Sequence, residues 1–535
     1  MNAEREAALP PREELTVGPA GAETPRLRSI LFPRGDAAVS RAPDAAPEFF
    51  HDLNLGRVVD AITAGREEYE LREFFHGWPI EPEAIAYRQE VMRDMEDRGL
   101  RGAVESFAER MRTMRSCITT ASKSFYDLEK QRWHLAAIEA YLDAVEGLEN
   151  DLHGLSPSSR GLHAFSSDLT AYAHSPALVA LASEARGLAQ ALAAIRYCVL
   201  VRDGSVTIRH YNGEPDYTAA VEETFRKFQQ GAAKDYGHQF KDVPGINHVE
   251  AQILDRVALL NPGVFAELSR FCERNADFVE PAIARFDREI QFYAAYLDHV
   301  ERFARAGLRF CYPQLSAQRS GIFAFSTFDV ALAEELLRNK RPVVCNDFVL
   351  EGVERVLIVT GPNQGGKTSF ARAFGQLHYL ASLGCPVPGR EARLLLCDKL
   401  FTHFEREEDI ANLRGKLEDD LVRIRHILDR ATPNSVLVMN EIFSSTTLQD
   451  ALWLGGAVLN RIERLDLFCV CVTFLEELST ASDKAVSMVA TIDPHDPAVR
   501  TFKIERTPAN GLAYALAIAE KHRVTYRWLR ERIRP

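Results

Sequence analysis

The chain has no long hydrophobic run, no Cys-x-x-Cys pair and no excess of basic residues, and each absence excludes a class of protein. No apolar stretch approaches the roughly 18 residues that a membrane-spanning helix needs. The first residues also lack the apolar core of a secretory signal. The nine cysteines are scattered, which favours reduced thiols. We therefore expect a cytoplasmic protein without membrane contact.

The balance of charge is acidic, since 64 Lys and Arg stand against 76 Asp and Glu, a formal net charge of −12. This balance disfavours a wholly basic nucleic-acid binder. It does not exclude DNA, because affinity for DNA depends on local clusters of Lys and Arg that neutralise phosphates rather than on the sum. An acidic protein with one basic face is compatible with these numbers.

Length and patterning predict more than one domain. At 535 residues the chain exceeds what one compact core usually holds. Residues 1–46 are rich in Ala, Pro, Arg and Glu, which predicts a flexible arm. Its one apolar island, Ser29–Pro33, either docks on the body or is a stray hydrophobic patch. The pattern that follows is mostly helical, and one stripe with 3-4-3-4-3 spacing predicts a long packed helix: Ile283, Phe286, Ile290, Tyr293, Leu297 and Val300.

The most informative motif follows a short aliphatic run. Val356–Thr360 has the pattern of a strand, and the sequence Gly361-x-x-x-x-Gly366-Lys367-Thr368 comes directly after it, before a helical pattern. Strand, glycine-rich loop and helix in this order predict a phosphate-binding loop. In such a loop, backbone N–H groups and the helix N-terminus hold phosphate oxygens. We expect Lys367 to reach the β- and γ-phosphates and the Thr368 hydroxyl to bind Mg²⁺. The alternative is a chance glycine-rich turn before a helix.

The sequence Thr-Gly-Pro-Asn-x-Gly-Gly-Lys-Thr, residues 360–368, closely resembles the phosphate loop of the MutS family, the ATPases of DNA mismatch repair and recombination. Asp52–Leu55 and Tyr87–Val91 are similar to landmarks of the helical core of that family. The resemblance implies a multidomain fold, with a long α-helical core/lever domain over residues 47–317 followed by an α/β P-loop (ABC-like) ATPase domain over residues 318–535. It implies ATP and Mg²⁺ as cofactors. The loop residues that it assigns to ATP are Gly361, Pro362, Asn363, Gly365, Gly366, Lys367, Thr368 and Ser369.

A second nucleotide motif, Ser435–Glu441, is an apolar strand that ends in Asn440 and Glu441. Family members end this strand in Asp-Glu. The resemblance implies that Glu441 is the general base that polarises the attacking water, and that Lys367 is the second catalytic residue. It assigns Asn440 to Mg²⁺ through a bound water. Because an amide brings no negative charge, we expect weaker Mg²⁺ binding and slower hydrolysis.

Other positions also depart from the family pattern. Phe474 stands where the family strand ends in Thr-His and the histidine senses the γ-phosphate, and a phenylalanine cannot donate a hydrogen bond. The stretch Asn412–Asp420 lacks the family's Ser-rich helix start and offers Arg414 and Lys416 instead. These two either reach a neighbouring subunit's phosphate or are a solvated basic pair. Asn510–Ala519 is similar to the element that precedes the family's dimerisation helices.

The segment Arg341–Phe348 resembles the one that frames the nucleotide base in MutS ATPases. The resemblance therefore assigns Asn346 and Phe348 to the base side of the ATP site. A plain edge strand would have much the same sequence, so both interpretations stay open here.

A β-hairpin is predicted within the helical region. Tyr197–Tyr211 contains two β-rich runs on either side of Asp203–Gly204, a strong hairpin signal. MutS-like proteins carry clamp elements at this place, so Arg202 and Arg209 are candidates for contact with a DNA backbone. The alternative is that they are solvated basic residues on a hairpin.

The resemblance implies a homodimer in which ATP at the subunit interface switches a DNA clamp, with slow DNA-coupled hydrolysis of ATP to ADP and phosphate. We find no mismatch-reading domain before Phe49, so a branched or unusual DNA structure is the expected ligand rather than a mispair. Asn440 and Phe474 favour an alternative, a hydrolysis-impaired, nucleotide-gated scaffold that recruits protein partners. A transporter-type or chromosome-structure ATPase is disfavoured because its Ser-Gly-Gly-Gln type of signature is missing.

Overall fold

The computed structural model describes most of the chain between Leu27 and Ile533. The described residues are 27–33, 46–77, 81–202, 205–215, 217, 223, 246–405, 415–493, 495, 499–509, 519–520 and 522–533. Most of the predicted arm, the hairpin turn Asp203–Gly204, Arg414 and most of Asn510–Ala519 therefore lie outside the described residues.

Helices dominate the first part of the described chain. The periodic stripe predicted from the sequence lies on the long helix Pro281–Arg305, where five of its six residues are buried and Val300 is half-buried. Proline at the first helical position suits the start of this helix, because proline lacks the N–H that would have no partner there. The helices are α1 Phe49–Asp52, α2 Leu55–Thr63, α3 Arg72–His76, α4 Pro82–Asp94, α5 Arg98–Lys123, α6 Asp127–Leu155, α7 Arg160–Ala173, α8 Pro176–Ala193, α9 His248–Leu260, α10 Pro262–Arg274 and α11 Pro281–Arg305.

The predicted hairpin is present among these helices. Strands β1 (Tyr197–Arg202) and β2 (Ser205–His210) pair in antiparallel register, with Arg202 opposite Ser205. Most of its residues are exposed.

Strands and helices alternate from Phe310 onwards, as expected of a mixed α/β fold. The strands are β3 Phe310–Cys311, β4 Gln314–Ser316, β5 Gly321–Thr327, β6 Asn346–Glu351, β7 Val356–Thr360, β8 Val387–Pro388, β9 Glu391–Leu395, β10 Leu400–Phe404, β11 Val436–Asn440, β12 Phe468–Val472, β13 Ala485–Ile492 and β14 Arg500–Glu505. The helices are α12 Val330–Arg338, α13 Lys367–Ser382, α14 Lys416–Arg430, α15 Leu448–Leu465 and α16 Tyr526–Arg532.

The main sheet has six strands in the order β10-β11-β12-β7-β13-β14. All neighbours in it are parallel except β13 and β14, which are antiparallel. Strands β7, β11 and β12 are buried along their whole length, which explains their continuous aliphatic sequences. A second sheet has the order β4-β9-β5-β6. The carboxyl ends of the central parallel strands open at one edge of the main sheet, where ligands commonly bind.

Helix α13 links this sheet to the first helices of the chain. Gly375 on α13 lies directly against Leu53, since a Cβ at this position would come within 2.8 Å of both Leu53 methyl groups. The Gln376 amide donates to the Leu53 carbonyl at 2.9 Å, and Arg372 Nε donates to the Asp52 carbonyl at 2.9 Å. The segment Asp52–Leu55 is therefore anchored on the helix that follows the phosphate loop.

This close contact makes a prediction for stability. Gly375→Ala is expected to destabilise the protein by about 1–3 kcal/mol, because the added methyl group overpacks the contact with Leu53. Gly456→Ala on α15 is the matched control: nothing lies within 4 Å of its added methyl group, so it is expected to stabilise by up to about 1 kcal/mol. Thermal unfolding of both variants is the measurement. Equal changes in the unfolding temperature of the two variants would contradict a close contact between Gly375 and Leu53.

Candidate nucleotide site

Three neighbouring strands bring the sequence motifs together. Strand β7 ends at the phosphate loop, β11 ends at Asn440, and β12, which lies between them, runs out towards Phe474. Because these strands are parallel, their carboxyl ends meet at the same edge of the sheet. The sheet order thus explains why residues far apart in sequence form one site.

The phosphate loop has the backbone that its glycines predict. Gly361 has φ 114° and lies so close to Ala490 that a Cβ would meet the Ala490 carbonyl oxygen at 2.9 Å. Gly366 has φ 91° and precedes the first residue of α13. A side chain at either position would be strained, and the loop keeps its backbone N–H groups near the helix N-terminus, where an anion is favoured.

Lys367 is buried within the loop, with 5% of its surface exposed. Its Nζ donates to the carbonyl oxygens of Gly361 and Pro362 at 2.8 and 3.1 Å. The ammonium also lies 4.4 Å from the centroid of the Phe474 ring, a distance at which a cation is attracted to the aromatic face. Burial lowers the pKa of Lys367, and the Glu441 carboxylate acts in the opposite direction. The cation is therefore held at the place where phosphate would enter.

Thr368 and Asn440 form the predicted metal side of the site. The Thr368 hydroxyl donates to Asn440 Oδ1 at 3.0 Å. Both groups offer oxygen, which Mg²⁺ prefers, but neither carries a charge. Among the described residues, no group of three His, Cys, Asp or Glu side chains could hold a metal. Thr368 and Asn440 would fit a Mg²⁺ ion as oxygen ligands, and they would hold it without adding negative charge.

Asn440→Asp is expected to raise the apparent affinity for Mg²⁺ about tenfold, because it adds a carboxylate beside the Thr368 hydroxyl. The measurement is the Mg²⁺ dependence of binding of a fluorescent ATP analogue. Asn434→Asp, at an exposed position next to strand β11, is the control and should leave the dependence unchanged. An Asn440→Asp variant with unchanged Mg²⁺ dependence would exclude this position from the metal side.

Glu441 lies at the edge of the pocket, where its backbone leaves β11. Its N–H donates to the Val472 carbonyl at 2.9 Å, and its φ of 56° is in the left-handed region. Such a conformation is uncommon for glutamate and occurs often at functional sites. It is compatible with the predicted role of Glu441 as general base.

A cavity of about 520 Å³ extends from the loop, within the size range of small-molecule and cofactor sites. Seven of the residues assigned to ATP from the sequence line it: Asn346, Asn363, Gly365, Gly366, Lys367, Thr368 and Ser369. Gly361 and Pro362 contribute instead the carbonyls that hold Lys367.

The structure separates the two base-side assignments, Asn346 and Phe348. The Phe348 ring does not line the cavity: it is 2% exposed and packs in the core, 5.0 Å from the ring of Phe374. Asn346 does line the cavity, but its amide donates to the Phe502 carbonyl and accepts from Ile504 N–H. Phe348 is buried because β6 is flanked by another strand and packs on α13. The alternative interpretation of this segment, a plain edge strand, therefore describes Phe348 better than a contact with the base.

Phe502 is a site residue that the sequence analysis missed. Phe502 lines the cavity and is 48% exposed, and its backbone, with φ 59°, lies 3.7 Å from the Cβ position of Gly366. The side-chain amide of Asn346 binds the backbone of β14 at this point. No local pattern identifies Phe502, because only the pairing of β14 with the sheet brings it to the loop. The other apolar residues of the wall are Phe328, Leu332, Ala333, Leu336, Pro342, Val343, Val344, Phe370 and Ala373.

The remaining candidates lie apart from this cavity. Lys416, offered as a cation for a neighbouring subunit's phosphate, forms an ion pair with Glu405. Arg209 on the hairpin pairs with Glu214 at 3.1 Å, whereas Arg202 is exposed at the end of β1. The DNA contact of Arg202 and Arg209 stays a prediction.

Two features bear on the expectations drawn from composition. The nine cysteines are all free thiols. No helix in the described part of the chain is long and apolar enough to span a membrane.

Comparison with known proteins identifies the family of this region. The model of the family MutS domain V matches residues 357–525. The DNA mismatch repair protein MSH3 of Kluyveromyces lactis is 30% identical over 160 residues, which are 29% of this chain and 16% of that protein. The chain thus matches a small part of the relative's length. The family match contains the phosphate loop, Asn440, Glu441 and Phe474, so this region of the chain is similar to MutS domain V.

Proposed function

We propose that this chain is a MutS-like, ATP-dependent DNA-binding protein that acts in DNA mismatch repair or recombination. The observation that carries the proposal is the cavity at the phosphate loop, which is lined by buried Lys367 and by Thr368, whose hydroxyl donates to Asn440. The match to MutS domain V, and the similarity to a protein named for DNA mismatch repair, support this assignment.

ATP is the proposed nucleotide, bound with Mg²⁺. The loop N–H groups and Lys367 would hold the phosphates, while Phe502 and the apolar wall would pack against the base. Thr368 would hold the metal directly, and Asn440 would do so through water. The bound ion would neutralise phosphate charge, and Glu441 would orient and deprotonate the attacking water.

The contacts of α13 offer a route by which nucleotide could alter DNA binding. The N-terminus of this helix faces the phosphates, while Arg372, Gly375 and Gln376 hold Asp52 and Leu53. Gln376 also accepts from Val330 N–H and donates to Asp329 at the start of α12, which lines the cavity. A shift of α13 would therefore move groups on both sides of it. We propose that this coupling acts in a homodimer and biases a DNA clamp.

A branched or otherwise unusual DNA structure is the proposed ligand. Arg202 at the exposed end of β1 is the stronger candidate for backbone contact, because the Arg209 guanidinium is already paired with Glu214. Each phosphate contact would make affinity more sensitive to salt.

A second candidate function is a nucleotide-gated scaffold that binds ATP, hydrolyses it hardly at all and recruits proteins. The observation that favours it is specific: Phe474 places its ring over Lys367, and Asn440 offers no charge to the metal. Either feature could slow hydrolysis without preventing ATP binding.

DNA binding in the presence and absence of ATP tests the proposed function. Labelled homoduplex, mismatched and four-way-junction DNA would be titrated by fluorescence anisotropy at several salt concentrations. We expect the logarithm of affinity to fall linearly with the logarithm of salt concentration, and ATP to change the affinity for one DNA form. ATP binding without any effect on DNA affinity would favour the scaffold.

A further inference from the structure

A groove between α4, α7 and α11 holds residues 27–33, the segment for which the sequence left docking undecided. Leu27, Ser29, Ile30 and Leu31 are each at most 3% exposed. The segment forms neither helix nor strand. Its backbone groups must therefore find their partners elsewhere.

Side chains of the groove supply those partners. Three of them donate to successive main-chain carbonyls of the segment, in the manner of a site that recognises an extended peptide by its backbone. The bonds are Tyr87 Oη to the Ser29 oxygen at 2.8 Å, Tyr293 Oη to the Ile30 oxygen at 2.7 Å and Arg88 Nε to the Leu31 oxygen at 3.2 Å.

The Glu289 side chain binds the middle of the segment. Its two carboxylate oxygens accept from the Ser29 hydroxyl and from Ile30 N–H, both at 2.8 Å. The Ser29 hydroxyl oxygen in turn accepts from Leu31 N–H and Phe32 N–H, which fixes a turn. A serine followed by two buried aliphatic residues thus fits the groove in a defined register.

The rim adds a charged contact. Arg28 donates to both carboxylate oxygens of Asp168, from Nε at 3.1 Å and from Nη2 at 3.2 Å. At the other end, Arg88 lies over the Phe32 ring and also donates to the Leu383 carbonyl at 3.4 Å, beyond the end of α13. The groove therefore makes specific contacts from Arg28 to Phe32.

Removal of the segment from the groove would be unfavourable in free energy. The buried Glu289 carboxylate would lose its two hydrogen bonds to the segment, and the Tyr87 and Tyr293 hydroxyls would lose theirs. Buried polar groups without partners are strongly unfavourable. The groove thus favours an occupant with an extended backbone and a hydroxyl side chain.

We propose that this groove is a peptide-binding site, filled by residues 27–33 of its own chain, that takes the same peptide from solution once the chain's own segment is disabled. A tethered occupant has a high effective concentration, so the unaltered chain should exclude an added peptide.

Ile30→Asp in the full chain disables the segment. Ile30 is fully buried and its N–H binds Glu289, so an aspartate would put a second carboxylate beside the first. A fluorescently labelled peptide of residues 27–33 is titrated into this variant, and its anisotropy is measured. We expect binding to Ile30→Asp and none to the unaltered chain or to Val353→Asp, a control at an exposed position.

The selectivity of peptide binding is tested by one substitution in the peptide and one in the groove. A peptide with Ser29→Ala should bind about tenfold more weakly or worse, because it loses a hydrogen bond to a charged group. Adding Glu289→Ala to the Ile30→Asp chain should weaken binding at least as much. A folded Ile30→Asp chain that binds no peptide, or binds a scrambled peptide equally well, overturns the proposal. An Ile30→Asp chain that unfolds and is not restored by the peptide also overturns it, since the segment is then ordinary core.

Discussion

Lys367→Ala is expected to weaken ATP binding by at least about 100-fold. The ammonium of Lys367 is buried at the loop, held by the Gly361 and Pro362 carbonyls. Removing one member of a desolvated charge pair typically costs about 2–5 kcal/mol, and about 2.7 kcal/mol corresponds to a factor of 100. The measurement is equilibrium binding of a fluorescent ATP analogue with Mg²⁺ present.

Lys399→Ala is the control for this prediction. Lys399 donates to the Arg430 carbonyl and does not line the cavity, so its loss should leave ATP affinity within about twofold, as for surface substitutions. If Lys367→Ala kept the affinity of the unaltered chain, the phosphate loop would not be the nucleotide site.

Glu441→Gln is expected to reduce ATP turnover about 100-fold or more while ATP binding changes little. A general base typically contributes 10²–10⁴-fold, roughly, to the rate of proton transfer, and glutamine has the same shape without the basic carboxylate. The Glu441 N–H bond to Val472 is made by the backbone, so the strand end should keep its geometry. Single-turnover hydrolysis and equilibrium binding are measured on the same preparation.

Glu477→Gln, at an exposed position of the short 3₁₀ helix Glu476–Thr480, is the matched control and should hydrolyse ATP at the original rate. Equal turnover by Glu441→Gln and the unaltered chain would remove Glu441 from the chemistry. A large loss of ATP binding would show instead that Glu441 supports the loop, for example by opposing the charge of Lys367.

The parts of the structure that the sequence predicted well are those with local patterns. The aliphatic run before Gly361 is the buried strand β7, and the 3-4 stripe from Ile283 lies along α11. The hairpin around residues 203–204 pairs as its β-rich runs predict. In each case, the pattern of residues adjacent in sequence determines the type of element and which of its side chains are buried.

The base side of the site could not be predicted in this way. Phe348 and Phe502 are both aromatic residues on short strands, yet Phe348 lies in the core and Phe502 lines the cavity. The difference arises from where the two strands lie. Phe348 on β6 packs on α13. Phe502 on β14 lies beside the loop, where the β14 backbone binds the Asn346 amide. Contacts between residues far apart in sequence leave no periodic signal.

Phe474 shows how structure adds to a sequence substitution. The sequence shows only that a hydrogen-bond donor of the family pattern is absent here. The ring lies 4.4 Å from the Lys367 ammonium, so in place of a donor the chain has an aromatic contact with the lysine of the glycine-rich loop. We therefore expect substitutions of Phe474 to affect ATP binding as well as hydrolysis.

ATP turnover in the presence of DNA tests the central claim most directly. The purified protein is assayed alone and with homoduplex, mismatched and branched DNA, next to Lys367→Ala and Glu441→Gln. We predict that one DNA form, a branched one, stimulates turnover, and that both variants lose the stimulation. ATP binding that depends on Lys367, with no turnover stimulated by any of these DNA forms, would contradict a DNA-coupled ATPase and favour the scaffold.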